Sequence, residues 1–416
     1  MFILLSSFKI TLKLELKKGI YLFNCLKKKK NLVVGAGFSG AVIAERLANI
    51  MDEDVLVIDK NSFLGGESFD YKDKSGIMVQ KFGSHIFHTN YEYIWKYLNK
   101  FSKFNMYIHK ENAFIEGNEA NIPFNLNSVY KVFPKNLAAR LEDKLVRKYG
   151  FSTDIPILDF KTKPFFWDRE LDFLASYIYE NVFIHYADKK WGTKKHKIDI
   201  SVFVNRDDRK YKDKYQGIPN SGYTKLIENI LNHKNIKILP EVDFKNIDTT
   251  GFDRIFYTGS IDEFFDYKFG VLQYRSANFE IEEINTEFYQ KTGVVNYPNN
   301  YDFLKIHEFK HYGCEKTDRT IIAKEYVSDF VLDSKCRKNN RAYPVLNNKN
   351  LEIYKLYKNE ARKFKDVYFL GRLGDFMDYS MDNAIKRALE VFETIRLNDF
   401  IKESASYEEE QLIKNY

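Results

Sequence analysis

The chain has 416 residues, enough for two or three compact units. Its 44% hydrophobic and 30% charged content excludes wholesale disorder, and only 20 Gly and 8 Pro exclude a collagen-like or linker-dominated chain. The net charge of +7 sits in residues 1–30, so the remaining body holds 57 basic and 57 acidic residues and offers no nucleic-acid footprint. Cys25, Cys314 and Cys336 lack metal-ligand spacing and suit a reducing, cytoplasmic setting. No apolar run approaches the ~18–20 residues that span a bilayer, so no transmembrane segment is expected.

In chain order, Phe8, Ile10, Leu12, Leu14 and Leu16 alternate with polar residues before the basic run 27–30, which reads as an appended arm over 1–30. Residues 32–34 predict a buried strand, 41–49 a helix and 54–58 a second strand, together a β-α-β unit. Spacings of three and four predict helices at 91–101, 135–148 and 167–186, with N-I-P-F-N-L-N at 121–127 as a loop and Trp191-Gly192 as the end of the last helix. A polar loop follows at 193–199. From about 270 alternation predicts an antiparallel sheet from 274–281, 292–297, 305–311 and 320–327. A strand at 367–370, a Gly371-Arg372 turn and a helix at 381–397 return to the first unit.

The fold expected is α/β: a Rossmann-like FAD-binding domain with an inserted helical domain and an antiparallel sheet domain. Its parts are 1–30 (arm), 31–85, 193–270 and 346–416 (cofactor domain), 86–192 (mainly helical, with a mobile loop near its end) and 271–345 (substrate sheet).

G-A-G-F-S-G at 35–40 (Gly35, Gly37, Phe38, Ser39, Gly40) lies between the first strand and its helix. Glycines there let the backbone turn and approach a pyrophosphate at a helix N-terminus. Asp59, followed by Lys60, closes the second strand where a carboxylate would meet an adenosine ribose. Gly65-Gly66 follows. The motif alone does not separate FAD from NAD. A second cofactor contact from Arg372, Met381 and Asp382 at the far end of the chain favours FAD. His85 and His88 in F-G-S-H-I-F-H-T-N lack a third ligand, so no metal is expected.

These motifs, with P-F-N-L-N, Y-A-D-K-K-W, Y-Q-G-I-P, G-Y-T-K-L, F-Y-T-G-S-I-D, Q-Y-R-S, I-H-E-F-K-H, K-E-Y, A-Y-P-V and G-R-L-G, fall in order over residues 31 to about 395. In that series the chain resembles the short bacterial UDP-galactopyranose mutases. The resemblance implies an isomerase that interconverts pyranose and furanose forms of a nucleotide-linked galactose for cell-surface polysaccharide. It uses FAD without net redox change, and the flavin must first be reduced by NAD(P)H or another reductant. In that family the reduced flavin N5 attacks the anomeric carbon while the diphosphate leaves. The partners implied are a nucleotide-sugar substrate and, as an open option, a second copy of the chain.

Carried over by position, His85 would lie against the isoalloxazine, with Arg372, Met381 and Asp382 on the flavin and ribityl side. Asn125 would line the substrate channel. Tyr186 and Trp191 would pack on the base, and Tyr343 would stand near the diphosphate. Three positions depart from the family: Phe203 and Lys305 replace arginines, and Asp378, beside Tyr379, replaces a tyrosine. Lysine lacks the planar two-pronged grip of arginine, and phenylalanine lacks charge altogether. A shift of three residues would put Arg206 in the place of Phe203. Lys305, with His85, Arg372 and Tyr343, is therefore expected in the catalytic set. Three readings stand at this point: a mutase for another nucleotide-activated sugar, a UDP-galactopyranose mutase with compensating residues, or a flavoprotein oxidoreductase or non-catalytic flavoprotein on the same scaffold.

Overall fold

Two sheets and a helical layer organise the chain. The computed structural model describes residues 28–162, 168–192, 201–313, 315–332 and 340–414. Residues 1–27 of the arm expected over 1–30 and the polar loop expected at 193–199 lie outside these residues, whereas Lys30, placed in the arm, opens the first strand. A five-stranded parallel sheet runs in the order Ile236–Leu239, Asp54–Ile58, Lys30–Val34, Arg254–Tyr257 and Val367–Phe369. Leu32 and Val33 are fully buried at its centre. The helix Phe38–Ile50 crosses it, and the C-terminal helix Met381–Lys414 packs on that helix. Ala41, Leu47, Ala388, Phe392 and Ile395 belong to one apolar core. Burial of such side chains stabilises by roughly 1.5–3 kcal/mol each.

The second sheet has seven strands, in the order Tyr343–Pro344, Tyr274–Ile284, Thr320–Asp329, Lys305–Glu308, Val294–Asn296, Glu111–Ile115 and Asn118–Ile122. All pairs are antiparallel except Val294–Asn296 with Glu111–Ile115. The strand expected at 305–311 ends at Glu308, and a 3-10 turn Phe309–Tyr312 follows. The buried Glu308 carboxylate accepts the Tyr289 and Gln290 amides and the Thr320 hydroxyl, which ties this corner down.

Two further features differ from the sequence reading. Residues 111–122, inside the stretch expected to be mainly helical, form a hairpin and extend the sheet. Glu116 and Gly117 both have positive φ at its turn, the geometry a two-residue hairpin favours. Glutamate is an uncommon residue there, so the turn signal is faint. The helix expected at 167–186 begins at Arg169 with Asp168 as its cap, then passes through a π-helical turn, Tyr179–Ile184, into His185–Trp191. A second apolar cluster, including Leu126, Leu141, Phe160, Leu174 and Phe183, fills the helical layer.

Candidate active site

The three motif glycines have three different jobs. A Cβ on Gly35 would meet the Thr258 hydroxyl at 2.1 Å, and one on Gly40 would meet the Gly35 carbonyl at 1.9 Å. Gly35 thus allows the close approach of the neighbouring strand's end, and Gly40 that of the helix to the strand. A Cβ on Gly37 would meet nothing nearer than 3.9 Å, so the space over this glycine is left open by the protein. Gly65 donates its amide to the Ala36 carbonyl (2.9 Å), and Gly66 stacks on Gly37. From the other end of the chain, Gly371 (φ +85°) abuts Ser39. The first amides of the helix Phe38–Ile50 lack intrahelical partners and face this cradle. A glycine-lined gap at a helix N-terminus, closed from both ends of the chain, fits a dinucleotide pyrophosphate. Asp59 is buried. Its carboxylate accepts the Ala36 amide (2.8 Å) and the Asn61 amide (2.8 Å), so it holds the loop in shape; Lys60 is exposed.

Across from the cradle, one face of the second sheet carries polar groups. Strand register places Ala113, Asn296, Lys305 and Glu325 side by side, with Glu111 and His307 two residues along on the same face. The Ser84 amide donates to His307 Nδ1 (3.1 Å), which leaves the ring proton on Nε2, 3.0 Å from Glu325. Tyr343 donates its hydroxyl to the other Glu325 oxygen (3.0 Å). Burial alone would raise the Glu325 pKa, but the hydrogen bond from His307 and the charges of Lys305 and Lys190 hold it at about 2. Burial also opposes the Lys305 charge, yet Tyr186, Glu111 and Glu325 keep its pKa well above the ordinary value.

His85 sits between this row and the cradle. Its Nδ1 lies 2.8 Å from the Gly83 carbonyl and so carries the proton. Burial, with Arg372 and His307 nearby, lowers its pKa to about 4 against the Gly83 hydrogen bond. The imidazole is therefore neutral at neutral pH, with Nε2 as an acceptor. Arg372 donates to Glu67, to the Ala342 carbonyl (3.2 Å) and to the Tyr379 carbonyl (2.8 Å), and lies 3.8 Å from Asp378. In the first turn of the last helix the Asp382 carboxylate accepts the Ser380 hydroxyl and the Asn383 amide, and Met381 packs on the main core.

A cavity of about 500 Å³ opens beside these groups. Tyr186, Trp191 and Lys190 line it from the helix His185–Trp191, and Lys210, Asn296 and Asp378 complete its polar wall. The Tyr186 and Trp191 rings meet edge to face at 6.0 Å, and the Lys305 ammonium lies 5.9 Å from the centre of Tyr186. Three expected site residues point elsewhere. Asn125 caps the helix Leu126–Val132 and bonds Asp207 and Asp208, so its neighbour Phe124 lines the cavity instead. Phe203 stays outside the cavity wall, with the Lys212 ammonium 4.0 Å over its ring. Arg206 faces Glu142 and Asn127 on the surface and does not take its place. Tyr379 hydrogen-bonds Asp375 (3.3 Å). His88 stacks on Tyr211 and bonds Asp213 (2.8 Å), and no metal-binding cluster occurs among the described residues.

Lys190, Lys210, Glu111, His307 and Glu325 were not singled out from the sequence. The I-H-E-F-K-H and K-E-Y motifs contain two of them, but only strand register shows which face each takes.

The parallel sheet with its glycine cradle, the C-terminal return and the antiparallel wall define a Rossmann-type flavoprotein fold. A model of the family described as UDP-galactopyranose mutase matches residues 181–378, and one described as an NAD(P)-binding Rossmann-like domain matches 33–101. A probable UDP-galactopyranose mutase of Klebsiella pneumoniae is 30% identical over 394 residues, covering 92% of this chain and 98% of its own. The dTDP-fucopyranose mutase of Escherichia coli is 32% identical over 377 residues, covering 87% of this chain and 97% of its own. The crystal structure of a reduced UDP-galactopyranose mutase superposes with TM-score 0.67 at 15% identity, covering 89% of this chain and 94% of its own. The chain belongs to the UDP-galactopyranose mutase family. It is a flavin-dependent pyranose–furanose mutase, an isomerase.

Proposed function

We propose that the cofactor is FAD and that the substrate is a nucleoside-diphosphate hexose of the UDP-galactose type. The observation that carries this reading is continuity between cradle and cavity. Asp378 lines the cavity and faces Arg372, and the adjoining Gly371 packs on Ser39 of the glycine loop. A sugar in the cavity would thus reach a flavin held by the cradle, with its nucleotide towards Tyr186 and Trp191.

Reduced flavin supplies a nucleophile for the anomeric carbon and recovers its electrons when the ring recloses, so sugar and flavin end with no net redox change. The chain's own part is positioning and electrostatics. Gly35, Gly37, Phe38, Ser39, Gly40, Gly65 and Gly66 would hold the pyrophosphate of FAD. Neutral His85 would present Nε2 to the ring system, and Arg372 would be oriented by Glu67 and Asp378. Lys305 and Tyr343, braced by Glu325, would stabilise the departing diphosphate. We take the reductant to be NAD(P)H, the compartment to be the cytoplasm, and the furanose product to serve cell-surface polysaccharide synthesis; a homodimer fits this reading equally well.

A second substrate reading has its own support. Phe203, Lys305 and Asp378 depart from the family at the diphosphate end, and a relative at 32% identity carries the name dTDP-fucopyranose mutase. The test is product analysis by NMR with dithionite-reduced protein, offered UDP-galactose and dTDP-fucose in turn. Ring isomers without oxygen or NAD(P)H consumption are expected for at least one of them. Stoichiometric peroxide formation would overturn the mutase assignment.

A further inference from the structure

Along one edge of the cavity, charged side chains alternate in sign. Lys190 and Lys305 flank Glu325, and Lys305 and Lys210 flank Glu111. Three cations thus share two anions. The two end members, Lys190 and Lys210, line the cavity itself.

Each carboxylate has hydrogen-bond donors besides those end lysines. Glu325 has His307 (3.0 Å) and the Tyr343 hydroxyl (3.0 Å). Glu111 has His109 (3.2 Å) and the Asn296 amide (3.3 Å) besides the Lys210 ammonium at 3.1 Å. Both anions keep hydrogen-bond donors if the lysines turn away, so no buried carboxylate is stranded. Lys190 has no ion-pair partner among the described residues; its ammonium lies 4.8 Å from the centre of Trp191 and 5.0 Å from that of Tyr343. Among the described residues nearby, Lys212 pairs with Asp154 and Arg206 with Glu142.

We propose that Lys190 and Lys210, which both line the cavity, join Lys305 in binding the substrate diphosphate, with Lys210 exchanging Glu111 for a phosphate oxygen when substrate enters. The proposal rests on the nucleotide-sugar reading above and adds the residues that set affinity for its diphosphate. A lysine grips phosphate as a point charge and accepts varied geometry, so this pair would tolerate more than one nucleoside diphosphate.

The experiment is calorimetric titration of the flavin-loaded full chain with UDP and dTDP, and with uridine and thymidine as phosphate-free controls. Lys190→Gln and Lys210→Gln should each weaken diphosphate binding about tenfold or more, flatten its salt dependence, and leave nucleoside binding and flavin content unchanged. Glu111→Gln separates a ligand role from a structural one. If Lys210 serves the ligand, freeing it from Glu111 should hold or tighten UDP binding; a loss like that of Lys210→Gln would overturn the proposal. Equal losses for nucleoside and diphosphate would overturn it as well. Lys210→Arg, which keeps the Glu111 pair, should bind UDP within about threefold of wild type, and this remains decisive if Lys210→Gln does not fold. Wild-type protein that binds neither diphosphate overturns the nucleotide reading itself and this proposal with it. Wild-type binding with undiminished variants overturns this proposal alone.

Discussion

His85 illustrates how burial sets chemistry at the scale of a single residue. Its Nδ1–H is given to Gly83, and burial favours the neutral ring, so its folded pKa of about 4 lies below the ordinary 6.5. Between these values the unfolded chain binds more protons than the folded one. Stability therefore rises with pH across that window, is complete above about 6.5, and is lost as pH falls towards 4. Denaturant unfolding of wild type and His85→Gln over pH 4–7 checks this: the variant should show a flatter acid limb, and an unchanged slope would count against a neutral buried ring. Lys305 is the second case. Among the described residues its ammonium has no hydrogen-bond acceptor, although Glu111 and Glu325 surround it. Lys305→Ala should keep its flavin and lose about 2–4 kcal/mol in kcat/KM, the scale for removing a charged partner from a desolvated site. A change within about 0.5 kcal/mol would mark an ordinary solvated lysine.

At the scale of an element, the helix His185–Trp191 decides the shape of the cavity mouth. It ends at Gly192 (φ +67°), and a side chain there would touch Arg275 at 3.0 Å. Arg275, itself paired with Asp329, donates Nη2 to the Lys189 carbonyl at 2.8 Å, and the Lys189 ammonium reaches the Tyr297 carbonyl at 2.8 Å. The helix is thus pinned to the sheet at its C-terminal end, where free carbonyls attract a cation. Tyr186, Lys190 and Trp191 project from it into the cavity. Arg275→Ala should raise KM about five- to tenfold, in line with ~1–1.5 kcal/mol for the lost hydrogen bond, with kcat and flavin content near wild type. Steady-state kinetics on reduced enzyme provides the measurement. An unchanged KM would show that the Arg275 hydrogen bond does not position the helix.

For the molecule as a whole, the cofactor site is an agreement between distant segments. The first crossover supplies the glycine loop, residues 65–66 pack beside it, and Gly371 closes on Ser39. Two substitutions only three residues apart should therefore fail in different ways. Gly40→Val would drive a side chain into the Gly35 carbonyl and break the strand–helix contact on which the parallel sheet is built. Gly37→Val meets no protein atom closely, so the chain should fold and yet yield colourless protein that takes up no FAD. Absorbance of the purified variants, with circular dichroism for folding, distinguishes these outcomes. A yellow Gly37→Val protein would remove the pyrophosphate from this loop.

The sequence by itself determined the β-α-β unit and its glycine turn. The β-α-β unit lies within 30 consecutive residues, from Lys30 to Asp59, and local rules of strand, glycine turn and helix cap are enough to read it. It also determined that Tyr186 and Trp191 share one helix, because their spacing is local. The tertiary structure alone decided the polar wall of the cavity. Glu111, Asn296, Lys305 and Glu325 come from four strands, and a slip of one residue in any pairing would turn its side chain to the other face. Asn125 has the type and position of a channel residue, but an orphan amide at a helix start claims its side chain. Lys210 was not singled out in its charged segment; folding of the 111–122 hairpin places Glu111 beside it and a cavity in front of it. Local chemistry is written in adjacent residues, whereas the charge balance of a cavity depends on which strands pair.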